Sequence, residues 1–443
     1  MKKNSTTRRG FLKTTAITAL SPLILPSGIL SGATSPSNRI NVGFIGMGKQ
    51  NAGLLNQFMR DESIRAVAVS DCDRTRRIAA KEKIDKKYGN SECVAYNDFR
   101  ELIARDDIDA VCIATPDHWH AYQTVTALDS GKDVYCEKPL THNIHESIAV
   151  MRAVERNGRV LQTGSMQRSY RIFRVACELV RNGVIGEVTR GAVNFGPPGV
   201  PCDLPEEEME PGLDWDMWVG PGPLRPYNSV LSPRGVHNHF PAWRNYKEYG
   251  GGMVCDWGAH HLDIIQWGLN KDESGPVAAI PPAEPEAMKG AQLVYEGGIS
   301  VAHGQGIGAH FFGTDGDVQV SRSEFAISRN GKKLAGNVGL EEPRKALNSE
   351  LDKAEAMFLK DKKIHLYESS NHVVDFIASM RSRRKPNTHE GIGARSAICC
   401  HLMNQAYYNR QAILWDPIRM KFRKGSGHPS WMTREYRGSW VVA

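Results

Sequence analysis

A regular alternation between residues 40 and 165 limits what this chain can fold into more than any other pattern. Short apolar runs at 40–45, 64–70, 109–114, 133–136 and 160–163 alternate with helix-like stretches at 51–60, 74–88, up to Leu128, and 142–155. This spacing predicts βαβ units, and so a parallel sheet covered on both faces. The first run leads straight into Gly46-Met47-Gly48-Lys49-Gln50-Asn51. Two glycines between a strand and a helix permit a tight turn and close backbone approach to a pyrophosphate at the helix N-terminus. Asn51 stands where G-x-G-x-x-G carries its third glycine, a position that governs helix–strand packing more than phosphate contact. Asp71 follows the second run, about twenty residues beyond the turn, the spacing of a ribose-hydroxyl contact. A carboxylate there repels a 2′-phosphate and favours NAD over NADP. Arg74, Arg76 and Arg77 read as a solvated helix face, with a phosphate site as the alternative.

The texture changes beyond residue 165. Residues 34–165 form the expected dinucleotide-binding domain, and 166–443 a substrate and oligomerisation domain. Residues 196–243 are rich in Pro, Gly and Trp, and so long an irregular stretch in a compact domain is usually functional. Short strands and glycines alternate from 291 to 328, with Thr314-Asp315-Gly316 as a hairpin turn. Helix-like stretches lie at 170–181, 259–269, 371–382 and 393–408. The expected fold class is α/β: a doubly wound parallel sheet, then an α+β domain with a large open, mainly antiparallel sheet.

Residues 1–33 read as a leader. Thr7-Arg8-Arg9-Gly10-Phe11-Leu12-Lys13 precedes a modestly apolar stretch, and Ser31-Gly32-Ala33 offers small residues for cleavage. Paired arginines before Phe-Leu-Lys predict twin-arginine export to the periplasm or beyond, with the protein already folded and its cofactor loaded. Lys2, Lys3, Arg8, Arg9 and Lys13 supply five of the net +7 charges, leaving +2 on the rest, so nucleic acid is not an expected partner. No window approaches the roughly 18 consecutive apolar residues of a membrane span. Nine cysteines without a C-x-x-C read as scattered thiols.

Two more runs end in Ala114-Thr115-Pro116 and Glu137-Lys138-Pro139. In open α/β sheets, ligands bind outside the carboxyl ends of the strands, which places Lys138 toward the nicotinamide half of the cofactor. Oxidising an alcohol requires a base for its proton and a cation beside the developing oxyanion. Asp256 and His260 are four apart at the start of a predicted helix, a spacing that shares one face. Histidine titrates near neutrality, and lysine supplies fixed charge. His237 and His239, with Asp256, His260 and His261, lack the defined ligand spacing of a catalytic zinc, so no metal is expected. Gln167, Arg168, Trp243 and Arg244 are the substrate candidates, with Gln162 and Tyr246 weaker. Trp215 and Trp218 read equally as sugar platforms or core.

Together, Gly46-x-Gly48, Ala114-Thr115-Pro116 with His118 and His120, Glu137-Lys138-Pro139 and the run Gly250-Gly251-Gly252-Met253-Val254-Cys255-Asp256-Trp257-Gly258-Ala259-His260 resemble the glucose–fructose oxidoreductase / inositol dehydrogenase / rhizopine catabolism (Gfo/Idh/MocA) family. The resemblance implies a Rossmann domain, a second domain whose open sheet serves a homodimer or homotetramer, and NAD(P) chemistry on sugars or cyclitols. By the same resemblance the cofactor contacts are Gly46, Met47, Gly48, Lys49, Gln50, Asn51, Asp71, Ala114, Thr115, Pro116, His120, Glu137 and Lys138. His260 becomes the proton acceptor or donor, Lys138 polarises the substrate oxygen and links to the ribose, and Asp256 orients the lysine or histidine or binds substrate. Asp263 is a supporting residue. Two net reactions fit: simple dehydrogenation, and glycoside cleavage by transient oxidation, elimination and hydration on retained NAD. A non-catalytic sugar binder fits less well, because it has no use for Lys138 and His260.

Overall fold

The structure is a computed structural model that describes residues 38–304 and 306–442. The twin-arginine leader lies outside the described residues. Six strands form the first sheet: β1 (Ile40–Ile45), β2 (Ile64–Ser70), β3 (Val94–Tyr96), β4 (Ala110–Ile113), β5 (Asp133–Cys136) and β6 (Leu161–Thr163). Their order is β3-β2-β1-β4-β5-β6 and all pairs are parallel. Every residue of β4 and β5 is buried, as expected for central strands covered on both faces. The strand order reverses between β1 and β4, and a crevice opens at such a switch point. β3 and the helix Phe99–Ile103 carry no sequence signal. Three and five residues are too few to show a period.

Ten strands form the second sheet: β7 (Val188–Val193), β8 (Ala278–Ile280), β9 (Gln292–Val294), β10 (Ser300–His303), β11 (Ala309–Gly313), β12 (Gly316–Val320), β13 (Phe325–Arg329), β14 (Lys332–Gly336), β15 (Ile413–Asp416) and β16 (Lys421–Phe422). The order is β14-β13-β12-β11-β7-β10-β9-β8-β15-β16. Only β7 with β10 is parallel. Helices Arg171–Arg181, Gly258–Gly268 and Glu390–Asn409 share one apolar core with this sheet.

Two segments beyond residue 165 pack back onto the first domain. Val373, Phe376, Ile377 and Met380 of the helix His372–Ser382 join the core of Phe44, Phe58 and Tyr135. Trp440 closes an aromatic cluster, with ring centroids 5.0 Å from Trp119 and 5.3 Å from Tyr122.

The 196–243 segment builds a small core of its own around Leu213, Trp215, Trp218, Tyr227 and Trp243. Trp215 and Trp218 stack at 4.6 Å, so Trp215 is packing and not a sugar platform. The segment is tied down on the first domain. Asp214 N donates to Cys72 O at 3.0 Å, Arg74 N to Gly212 O at 3.0 Å, and Asn97 Nδ2 to Asp214 Oδ2 at 2.7 Å. Arg76 is buried, donates from Nε to Gly235 O at 3.1 Å, reaches Pro233 O, and pairs with Asp73 at 3.3 Å. Arg77 donates to Asp71 O and Asn97 Oδ1, both at 3.1 Å. The reading of a solvated arginine face is therefore corrected for Arg76 and Arg77, because the long segment covers the start of their helix.

Candidate active site

A cleft of about 780 Å³, counting its open mouth, lies outside β1 and β4. Gly46 has φ +81°, and a Cβ there would come within 2.9 Å of the Thr115 backbone nitrogen. Only glycine fits that turn. Gly48 precedes the helix Lys49–Phe58 without a side-chain cap, and a Cβ on it would meet nothing within 4 Å. The uncapped first-turn N–H groups and the empty space over Gly48 fit a pyrophosphate. Gly46, Gly48, Lys49, Gln50, Asp71, Ala114, Thr115 and Pro116 all line the cleft. Met47 keeps its side chain in the core, and its N–H donates to Asp71 Oδ2 at 2.6 Å. Asn51 faces away from the cleft. Its Nδ2 donates to Ile45 O at 3.0 Å and lies 3.4 Å from Cys112 O. Its expected cofactor contact is thus replaced by a helix–strand tie where a glycine would leave a gap.

Asp71 Oδ1 accepts from Asp73 N at 2.8 Å, and burial raises the carboxyl above its ordinary value. With one lone pair of each oxygen engaged, the others remain for ribose hydroxyls. Replacing Asp71 by Ala is expected to shift the NAD/NADP affinity ratio about tenfold toward NADP, read by titrating the apoprotein with each. An unchanged ratio would remove the ribose contact.

A second cavity of about 770 Å³ adjoins the first, sharing Gln50, Thr115, Phe240, Trp243 and Arg244. Lys138 Nζ donates to the Asp256 carboxylate and to Asp256 O at 3.2 Å. Arg244 approaches the same carboxylate at 3.6 Å. Burial works to raise the Asp256 pKa, but Lys138 and Arg244 outweigh it and hold the group below the usual carboxylate range. Asp256 is therefore the anion that positions Lys138. It makes no bond to His260, because its carboxylate is turned to Lys138 and Arg244.

His260 lines the cavity, and neither ring nitrogen bonds to a described residue. Nδ1 is fully enclosed, so Nε2 is the nitrogen a substrate can reach. Burial, then Lys138 and Arg322, hold its pKa well below 6.5. The ring is neutral at neutral pH, the form that accepts a proton. Turnover in the oxidising direction is expected to stay level as pH falls through 6.5. A histidine of ordinary pKa would lose about half its acceptor form there and about nine-tenths one unit lower. A kcat/KM profile from pH 8 to 5.5 decides, and a fall centred near 6.5 would contradict this placement.

Glu137 accepts from Gln50 Nε2 at 2.8 Å, and burial raises its pKa against the pull of Lys138. The His120 ring nitrogens lie 2.7 Å from Pro139 O and 2.9 Å from Thr115 O. Burial still drives this histidine down to about 4, against the two carbonyls. Both residues line the second cavity, as do Trp243 and Arg244. Arg244 lies 4.2 Å over the Trp243 ring.

Two substrate candidates fall elsewhere. Arg168 is corrected: it is 2% exposed, and its guanidinium bonds Asp263 at 2.8 and 2.9 Å and Asp272 at 2.7 and 2.9 Å. Its donors are consumed in an ion-pair core, and Asp263 belongs to that core and not to His260. Gln167 is also corrected, because it sits behind the cavity wall and donates weakly to His260 O at 3.4 Å. Gln162 donates to His372 O at 2.6 Å, away from the site.

Sequence reasoning missed Asp117 and Arg322. Asp117 opens the helix Asp117–Asp129, lines the cavity at 4% exposure and accepts no hydrogen bond from the described residues. Burial raises its carboxyl well above the ordinary value. It directly follows Ala114-Thr115-Pro116, and an acid at that place was the available signal.

A nucleotide cleft opening into a lysine–histidine cavity is the arrangement of a two-domain, dinucleotide-binding protein. The chain belongs to the Gfo/Idh/MocA oxidoreductase family: residues 40–165 match its NAD-binding Rossmann fold and 198–304 its C-terminal alpha/beta domain. NAD is accordingly the cofactor. The chain is similar to "Glycosyl hydrolase family 109 protein 2" of Shewanella sp. (strain ANA-3), 28% identical over 211 residues, 42% of this chain and 45% of that protein. It is 31% identical over 159 residues to an "Alpha-N-acetylgalactosaminidase" of Shewanella oneidensis, 35% of each chain. These matches span less than half of the relatives' length. Aldose-aldose oxidoreductase from Caulobacter crescentus shares the fold, with a TM-score of 0.54, 17% identity, and coverage of 85% of this chain and 99% of that one.

Proposed function

We propose that the protein oxidises a hydroxyl of a sugar, glycoside or cyclitol. The observation that carries this reading is the neutral His260 in one cavity with an Asp256-held Lys138, beside the nucleotide cleft. NAD held by the Gly46–Gly48 turn and Asp71 supplies the hydride acceptor. Lys138 has one ammonium proton beyond the two directed at Asp256, and it stabilises the substrate oxygen. His260 Nε2 takes the hydroxyl proton. Trp243, in the small core with Arg244 over its ring, backs the cavity wall.

A second reading, glycoside cleavage by transient oxidation, elimination and hydration on retained NAD, is favoured by Asp117. Simple dehydrogenation needs one proton acceptor. A departing alkoxide also needs a proton donor, and a buried acid whose carboxyl burial pushes well above its ordinary value suits that task. The glycosyl hydrolase names of relatives support the same reading.

The deciding experiment denatures the purified protein, identifies released nucleotides by mass spectrometry, and then incubates intact protein with sugars and glycosides. Bound NAD with a change at 340 nm supports net oxidation. Product without that change supports the cycling reaction. No nicotinamide under any loading condition overturns both.

Export by the twin-arginine route and assembly into a homodimer or homotetramer complete the proposal. The paired Arg8 and Arg9 support the first, and the open ten-stranded sheet supports the second. Changing Arg8 and Arg9 to lysine is expected to abolish export. Normal export of that variant, followed by cell fractionation, would sink the leader assignment.

A further inference from the structure

Three cations line the catalytic cavity: Lys138, Arg244 and Arg322. The first two share one carboxylate, Asp256. Arg322 forms no ion pair among the described residues, although it lines the same space. Of the other two acids on these walls, Glu137 is engaged by Gln50, and burial holds both it and Asp117 toward the uncharged form. Arg322 is thus the exposed cation at the mouth of this cavity that no described carboxylate pairs.

Arg322 is also held in place. It sits in the turn between β12 and β13, closed by Ser321 N donating to Glu324 O at 2.8 Å. Its guanidinium lies 4.6 Å over the Trp257 ring, and its Nε donates to Gln167 Oε1 at 3.1 Å. Gln167 in turn reaches the backbone of His260. One face and one edge of the guanidinium are thus fixed. The two terminal nitrogens bond to no described residue. A planar fork held flat in this way matches a carboxylate with two parallel hydrogen bonds.

We infer that the substrate is a sugar bearing a carboxylate, a uronate ring, and that Arg322 binds that group. The inference rests on the sugar-oxidoreductase reading and narrows it. Neutral hexoses satisfy Lys138 and His260 but leave Arg322 unused.

The test is isothermal titration calorimetry on the NAD-loaded full chain. The ligands are glucuronate and galacturonate, each beside its parent hexose, and glucose 6-phosphate. One uronate is expected to bind at least about tenfold more tightly than its parent, the scale of a charge-assisted hydrogen-bond pair. R322Q is expected to remove most of that ratio, with the hexose affinity moving less than about threefold. R322K, which keeps the charge without the fork, is expected to retain part of it. Bound NAD and the thermal melt of each variant show whether it has folded. Equal affinities for uronate and parent, or a ratio that survives R322Q, overturn the carboxylate assignment alone. Tighter binding of glucose 6-phosphate than of either uronate overturns it in favour of a phosphate. No binding of any sugar overturns both this inference and the reading beneath it.

Discussion

Replacing Lys138 by methionine is expected to lower turnover about a hundredfold or more while NAD stays bound. Methionine preserves most of the apolar stem, so the change removes mainly the ammonium. Two losses then coincide. The substrate oxygen loses its cation, and Asp256, with its side chain 16% exposed, loses its closest partner. Nucleotide retention is expected to rest mainly on the Gly46–Gly48 turn, Asp71 and the wall at Thr115, none of which bonds to Lys138 Nζ. The measurement is turnover per bound NAD, with the nucleotide counted by mass spectrometry. Unchanged turnover would remove Lys138 from the chemistry. Loss of NAD in parallel would make it a cofactor anchor instead.

Replacing Arg168 by methionine is expected to cost about 3–5 kcal/mol of stability, the usual consequence of breaking a buried pair from one side. Asp263, with a side chain only 1% exposed, and Asp272 would be left facing each other without their cation. Thermal melts report the loss. The KM of the folded fraction for its sugar is expected to stay near the wild-type value, because Arg168 does not reach the cavity. Adding Asp263→Asn should recover part of the stability by removing one unpaired charge. A variant of normal stability with a raised KM would return Arg168 to the substrate pocket.

These two residues show what was legible in the sequence. Lys138 sits at the carboxyl end of a short buried strand, and that position follows from local pattern alone. The same holds for the Gly46 turn and for Asp71. His260 was legible through its run of neighbours. Arg168 misled because its partners lie 95 and 104 residues further on, and no local pattern carries such a pairing. Arg322 was invisible for the matching reason. It occupies a turn between two strands, with no motif around it, and only the fold of the second sheet brings it to His260. The place of Asn51 was legible as a packing position, but the residue was also counted among the cofactor contacts, and its donation to the Ile45 carbonyl required coordinates. The strand-and-helix rhythm was legible because each element repeats its pattern over many residues. The return of the helix His372–Ser382 and of Trp440 to the first domain was not, because apolar faces do not announce which core they join.

The segment pinned by Arg76 across the nucleotide cleft has a kinetic consequence. A nucleotide under that cover is expected to leave more slowly than one in an open cleft. When release is slower than turnover, NAD ceases to be a co-substrate and becomes a prosthetic group. Each molecule can then store two electrons and no more, and where acceptor and substrate share the one cavity the first product departs before the acceptor arrives. Double-reciprocal plots for the two substrates become parallel lines. Without an acceptor, the reaction stops after a burst whose height counts active sites.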